Sequence, residues 1–283
     1  MSRINWAELK KKKTEVEPLM ALVMGASGGG KSSSLGTLGV PTLVLYGNVE
    51  SHSANAAKAT SQEKSNVVGM QYTVNRADGS LDAQASYKNL LAILRDPGVA
   101  ENFGAVAVDS AGELQQVFKE TARFKELVTT DTGKVNNFKE PEAYGTMFGE
   151  VINSMLALRR QGVHTLMTCA AIVTGGTEGS DEITARPNLY GYTVSENLCR
   201  AFADIFYVTM LREENEEGEE ITVHRFVFNP KVSAVSKDVK SGKITKQSFS
   251  NFSPRISLFT REQLPERAEV NFAKIIEARK AKV

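Results

Sequence analysis

The residues best placed to do chemistry lie between positions 25 and 33. Gly25-Ala26-Ser27-Gly28-Gly29-Gly30-Lys31-Ser32-Ser33 has a glycine, four residues, then Gly-Lys-Ser, which fits the G-x-x-x-x-G-K-[ST] pattern. Glycines let successive backbone N–H groups turn inward around an anion, because positive φ costs them nothing. A lysine at the seventh position of the pattern reaches the outer phosphates, and the serine after it offers an oxygen to Mg²⁺. The chemistry implied is binding of a nucleoside triphosphate, ATP with Mg²⁺, by residues 25–33.

Two carboxylates complete the set. Ala105-Val-Ala-Val-Asp109-Ser110 is four apolar residues ending in an acid. A strand that ends this way near a phosphate loop supplies Mg²⁺ with a carboxylate through water, and Asp109 is expected at the tip of a strand beside the loop. Hydrolysis also needs a group that orients or deprotonates water. Glu50, in Tyr46-Gly-Asn-Val-Glu50-Ser-His52, follows an apolar run and would leave the sheet on the phosphate-loop edge. It is the candidate base. No histidine cluster suggests zinc: His52 follows the candidate base, His164 opens a buried run, and His224 lies in a late strand.

These groups must be held by strands and helices in alternation. Continuous apolar runs at 20–24, 42–46, 104–108, 163–168 and 205–211 read as buried strands. Helical spacing covers 32–38, 81–95, 143–161, 195–203 and 272–282. Strands that are apolar on both faces, spaced by helices, predict an α/β fold with a mostly parallel sheet flanked by helices. Residues 222–229 predict an antiparallel C-terminal edge strand after an acidic turn. Residues 119–142 and 172–188 read as long functional loops. The expected organisation is an arm over 1–17, an ATPase core over 18–260 and a helical tail over 261–283.

Bulk composition narrows the rest. The chain has 283 residues, 41% of them hydrophobic, enough for one large core. A net charge of +1 argues against a uniformly basic nucleic-acid coat, so any such contact needs a local patch. Residues 231–246 are the most basic stretch, with Phe249 and Phe252 nearby, a combination suited to single strands. Cys169 and Cys199 follow no metal or redox spacing and read as small buried residues in a reducing cytosol. No apolar run reaches membrane length and no signal-peptide core is seen at the N-terminus, so a cytoplasmic protein without membrane contact is expected.

The order of these pieces resembles the RecA-like branch of P-loop ATPases. Within it, the likeness is to small phage-encoded ATPases of the single-strand-annealing (Sak) type, over residues 18–260. Gly30-Lys31-Ser32 through Pro41-Thr-Leu-Val-Leu-Tyr46 to Glu50 is similar to the family's run from P-loop to catalytic glutamate. Val108-Asp109-Ser110 is similar to its Walker B pair. The resemblance implies a sensor role for Thr168, at the tip of the strand where RecA carries a glutamine. It implies a DNA-binding loop over 171–188, although Thr174-Gly-Gly-Thr-Glu-Gly-Ser-Asp-Glu182 is acidic and Arg186 stands alone at its far end. It also implies that Lys237 and Lys240 act on the ATP of a neighbouring subunit. ATP would then sit at the interfaces of a homo-oligomer, either a ring or a helical filament.

Three functions compete at this point. The first is an ATPase acting on single-stranded DNA in phage recombination, annealing or replication, in the host cytoplasm. The second is an ATP-gated interaction or assembly protein that does not grip DNA, which the acidic loop and the near-zero charge favour. The third, a small-molecule kinase, would ordinarily show an arginine-rich lid, and the 172–188 loop has one arginine.

Overall fold

The computed structural model describes residues 17–174, 182–215, 217–228, 256–260 and 266–280. Its centre is a twisted sheet. In spatial order the main path runs β3 (Val67–Gln71), β2 (Thr42–Tyr46), β4 (Ala105–Asp109), β5 (His164–Thr174), β1 (Met20–Gly25), β7 (Asp204–Glu214), β8 (Glu220–Phe228), β10 (Glu266–Glu269). From β3 to β7 every neighbouring pair is parallel. β8 then turns back antiparallel on β7, and β10 is antiparallel to β8.

The apolar runs follow from burial on both faces. Alternate residues point to opposite sides of a strand. Met20, Leu22 and Met24 join one core with Leu43, Leu45, Val106, Val108 and Met167. Helices α3 (Ala83–Arg95), α5 (Ala111–Glu120), α7 (Glu140–Arg160) and α8 (Tyr192–Ala201) cover that face. Ala21, Val23, Val44, Ala107 and Phe206 join the other, under α1 (Lys31–Ser34), the 3-10 turn Leu35–Leu38, α2 (Ser53–Thr60) and α9 (Phe272–Lys280). Here Phe206, Phe226 and Phe272 pack with ring centroids 4.9–5.1 Å apart. The chain after residue 261 therefore contributes both β10 to the sheet and a helix to the core.

The backbone crosses closely just after the phosphate loop. A Cβ on Gly36 would lie 1.9 Å from the carbonyl oxygen of Ala57 in α2. Overpacking of this kind costs roughly 2–3 kcal/mol. Gly36→Ala is therefore expected to lower the thermal midpoint by roughly 5–10 °C. An unchanged melting curve would show that the two segments do not meet as described.

Several expectations are corrected. Residues 119–142 are not one long loop. They hold α6 (Ala122–Val128), a bridge between Thr129 and Val135, and the 3-10 turn Asn137–Lys139. The Thr121 hydroxyl caps α6 by accepting the Phe124 N–H, and Phe124 packs at 4.5 Å on Tyr144 of α7. Two buried anchors, Phe124 and Val128, suffice for a short helix in a polar stretch. The 172–188 region is partly sheet. β5 runs on to Thr174, and β6 (Glu182–Pro187) returns antiparallel on it and pairs with β9 (Ile256–Thr260). The segment predicted at 222–229 is antiparallel as expected, and β10 adds a further antiparallel strand along its residues 225–228.

Candidate functional site

Strand register gathers the site. β1 lies between β5 and β7, with Gly25 opposite Ala170 and Val208. On the far side of β5, Val108 pairs with Met167, which sets Asp109 beside Thr168. Tyr46 pairs with Asp109, so the loop carrying Glu50 leaves the same edge. Asp109 stands at the tip of its strand beside the loop, although β5 lies between that strand and β1. The gap is bridged by side chains. The Ser32 hydroxyl donates to Asp109 Oδ2 at 2.6 Å, and the Thr168 hydroxyl donates to Asp109 Oδ1.

The loop itself is a cradle. Gly28 and Gly30 have φ of 74° and 99°, and the Gly29 N–H turns back to Ala26 O at 3.1 Å. A Cβ on Gly25 would strike the Val208 carbonyl oxygen at 2.3 Å, so strand β7 backs directly onto the loop. Ala26, Ser27 and Gly28 are exposed at the tip, while Gly29 is buried at the base. Lys31 folds over the loop and donates to the carbonyls of Gly25 at 3.2 Å and Ala26 at 2.8 Å. The expected helix over 32–38 is α-helical only through Ser34, then tightens to 3-10 geometry. So short a helix adds little dipole. The loop amides and Lys31 must carry the attraction for an anion. Ser33 passes its carbonyl to Thr60 and takes no part in the chain of Ser32, Asp109 and Thr168.

Donor chemistry suits a magnesium nucleotide. Asp109 and Thr168 are buried, and Ser32 is partly open. Mg²⁺ is held by one or two carboxylates together with substrate phosphates rather than by a full protein cage. Ser32 and Asp109 match that requirement, and among the described residues no cluster of three or more His, Cys, Asp or Glu could hold a metal ion by itself.

Glu50 is half-buried beside this group. Burial raises its carboxyl above the ordinary glutamate range and the negative charge of Asp109 adds to the effect; Lys31 opposes them, Glu113 raises it further, and a hydrogen bond from Ser110 lowers it. The cause is desolvation plus like charge, which makes the carboxylate a stronger base than an exposed glutamate. Lys31, Ser32, Asp109, Thr168 and Glu50 thus share one edge of the sheet. Lys237, Lys240 and the basic stretch 231–246, with Phe249 and Phe252, lie outside the described residues.

Three neighbours were not anticipated. Ser110, the N-cap residue of α5, is near enough to Glu50 to lower its carboxyl. Glu113, in the first turn of α5, is buried under the Glu50 loop. His224, on β8, places Nδ1 3.0 Å from the Gly29 carbonyl oxygen, and a Cβ on Gly30 would come within 2.7 Å of the same nitrogen. The absence of a side chain at Gly30 thus makes room for the ring as well as for the turn. His164 accepts the Leu19 N–H at 2.9 Å, a structural role. Cys169 and Cys199 are buried, and burial pushes both thiols up to about 12, far from any reactive range.

The fold is a mixed α/β fold with a mostly parallel central sheet flanked by helices and antiparallel edge strands, consistent with a P-loop NTPase core. No family model matches the chain, and no curated protein matches it. Among solved structures the chain is similar to the X-ray structure of the Legionella pneumophila ATPase DotB, at 11% identity and a TM-score of 0.28, over 81% of this chain and 50% of that one. The aligned part spans half of that neighbour's length. Among the described residues no helix is long and apolar enough to cross a membrane.

Proposed function

We propose that the chain binds ATP with Mg²⁺ and hydrolyses it. The observation that carries this reading is the hydrogen-bonded set of Ser32, Asp109 and Thr168 beside a glycine cradle with Lys31. Lys31 leaves the loop carbonyls for the β- and γ-phosphates. Ser32 and Asp109 would hold the cation, and Thr168, whose hydroxyl proton is committed to Asp109, would act through that carboxylate. Glu50 takes a proton from water as the water oxygen bonds to the γ-phosphorus. The bond from that phosphorus to the bridging oxygen breaks, leaving ADP and phosphate.

The assembly we favour is a RecA-like homo-oligomer, ring or filament, of the phage annealing type. Lys237 and Lys240 would serve the neighbouring subunit's ATP, and single-stranded DNA would be the effector. Two pairs of residues support the DNA reading. Lys119 lies 5.9 Å from the ring centre of Tyr190, and Arg186 lies 5.9 Å from that of Tyr192. Both rings are exposed. Exposed aromatics beside cations bind single strands by stacking and phosphate neutralisation. Replacing Tyr190 and Tyr192 by Ala is expected to weaken single-strand affinity by roughly 10-fold or more, since each stacked base contributes about 1–3 kcal/mol. Arg186→Ala should flatten the salt dependence by about 0.7 in log–log slope. Fluorescence anisotropy with a labelled oligonucleotide reads both, and unchanged affinity in the double tyrosine variant removes this surface from the reading.

A second reading is an ATP-gated assembly protein that does not touch DNA. The 129–139 segment favours it, because Phe138 is 96% exposed there, with Val135 also exposed. Steady-state ATP hydrolysis with and without single-stranded DNA, over a range of protein concentrations, separates the two. Stimulation by DNA with a rate that climbs faster than protein concentration supports the DNA-activated assembly. A rate indifferent to DNA and linear in protein supports the gated switch.

A further inference from the structure

Glu113 has no part in the phosphate chemistry above, yet it is the most enclosed carboxylate near the candidate base after Asp109. It stands in the first turn of α5, four residues beyond Asp109. From there it reaches under the loop that leaves β2. Glu113 Oε1 accepts the Val49 N–H at 2.9 Å. Glu113 Oε2, also buried, has no hydrogen-bond partner among the described residues. The residue before Glu50 is thus held at its backbone by a buried carboxylate.

The loop has little else to define it at that point. Val49 is 72% exposed, so no apolar packing of its side chain holds the turn. Asn48 is tied on its outer side, where its Oδ1 accepts from Gln71 Nε2 at 2.7 Å and from the Thr73 hydroxyl at 2.8 Å. Beneath, Gly47 lies flat against the acid: a Cβ there would come 2.2 Å from Glu113 Cδ. Glycine at 47 is what allows the carboxylate to approach the backbone. The buried Tyr72 side chain lies near enough for Glu113, Asp109 and Glu50 all to raise its phenol, after burial itself, so it stays a neutral hydroxyl among three acids. A buried carboxylate is a costly way to fill space. An apolar residue would pack α5 against the sheet but could not bind amides.

We propose that Glu113 is a positioning residue for hydrolysis: its carboxylate sets the backbone of residues 48–50 and thereby aims the Glu50 side chain at the attacking water. This rests on the reading of Glu50 as the base. Glu113 then holds Glu50 from the residue next to it, through the Val49 N–H.

The test measures single-turnover ATP hydrolysis, nucleotide Kd by a fluorescent ATP analogue, and the melting curve. Glu113→Gln keeps the shape and an oxygen for the Val49 N–H but removes the charge that holds it. Misplacing a reacting group by about 1 Å costs on the order of 100-fold, so a loss of about 10- to 100-fold in the hydrolysis rate is expected, with Kd unchanged. Gly47→Ala pushes the same loop off the same carboxylate and should give the same selective loss without altering Glu113. In a Glu50→Gln background Glu113→Gln should cost nothing further, because both act through one group. Wild-type hydrolysis by Glu113→Gln and Gly47→Ala, with Glu50→Gln inactive, overturns the inference and leaves Glu50 as the base. Loss of nucleotide binding in proportion to the loss of rate makes Glu113 merely structural and also overturns it. Normal hydrolysis by Glu50→Gln removes the base itself, and the positioning role falls with it.

Discussion

Lys31→Ala is expected to lose most of its nucleotide affinity and essentially all of its turnover. Lys31 is the one cation of the glycine loop, and its ammonium already lies at the loop's centre, bonded to two of the loop's own carbonyls. Those bonds hold it folded over the loop while no phosphate competes. A hydrogen bond to a charged group contributes about 1.5–3 kcal/mol, which corresponds to roughly 10- to 100-fold in Kd. In the transition state the same ammonium meets charge developing between the β- and γ-phosphates. Removing one such electrostatic donor costs about 100- to 1,000-fold in rate. Titration with a non-hydrolysable ATP analogue and a phosphate-release assay would read the two losses separately. Turnover equal to wild type in Lys31→Ala would end the phosphate-site assignment.

For Glu50→Gln the two losses should separate. Glutamine keeps the size of the side chain and can still accept from Ser110, but it cannot take a proton. Binding should stay within about twofold, while hydrolysis falls by roughly 100- to 10,000-fold, the usual contribution of a general base. The sign of the pH dependence follows from the raised carboxyl. Burial first, and then Asp109, favour its protonated form. The active carboxylate is therefore lost as pH falls through a value above the ordinary glutamate pKa of about 4.3. The acid limb of kcat/KM for the wild type should lie above that value. In Glu50→Gln that limb should disappear from the residual rate. Hydrolysis by Glu50→Gln at the wild-type rate would transfer the role to another group on the same edge.

Much of the site was legible because its parts are local. The loop from Gly25 to Ser32 is a contiguous pattern, flanked in the structure by β1 and α1 as its mechanism requires. Asp109 was legible because four apolar residues precede it and a buried strand ends there. Glu50 followed from its place just beyond β2. Glu113 was not legible. Its partner Val49 lies 64 residues away in the chain, and a glutamate in the first turn of a helix reads as an ordinary surface acid. The same holds for His224, which meets Gly29 from 195 residues away. Among the elements, β3 escaped because Val67-Val-Gly-Met-Gln71 is short and largely open on its outer positions. β6 escaped because its pairing with β5 and β9 imposes extension on a polar stretch with little strand signal of its own.

By itself the sequence determined the alternation of strands and helices, the two-faced burial of the sheet and the glycine-rich turn with its lysine and serine. These depend on periodicity and on short spacings, which the chain carries wherever it folds. Only the tertiary structure decided that β5 inserts between β1 and β4, that Ser32 and Thr168 meet on Asp109, and that a buried acid holds the backbone just before Glu50. Strand order is settled by which faces bury best against which helices. Contacts between residues 59 and 77 positions apart exist only once that order is set, so no local pattern records them.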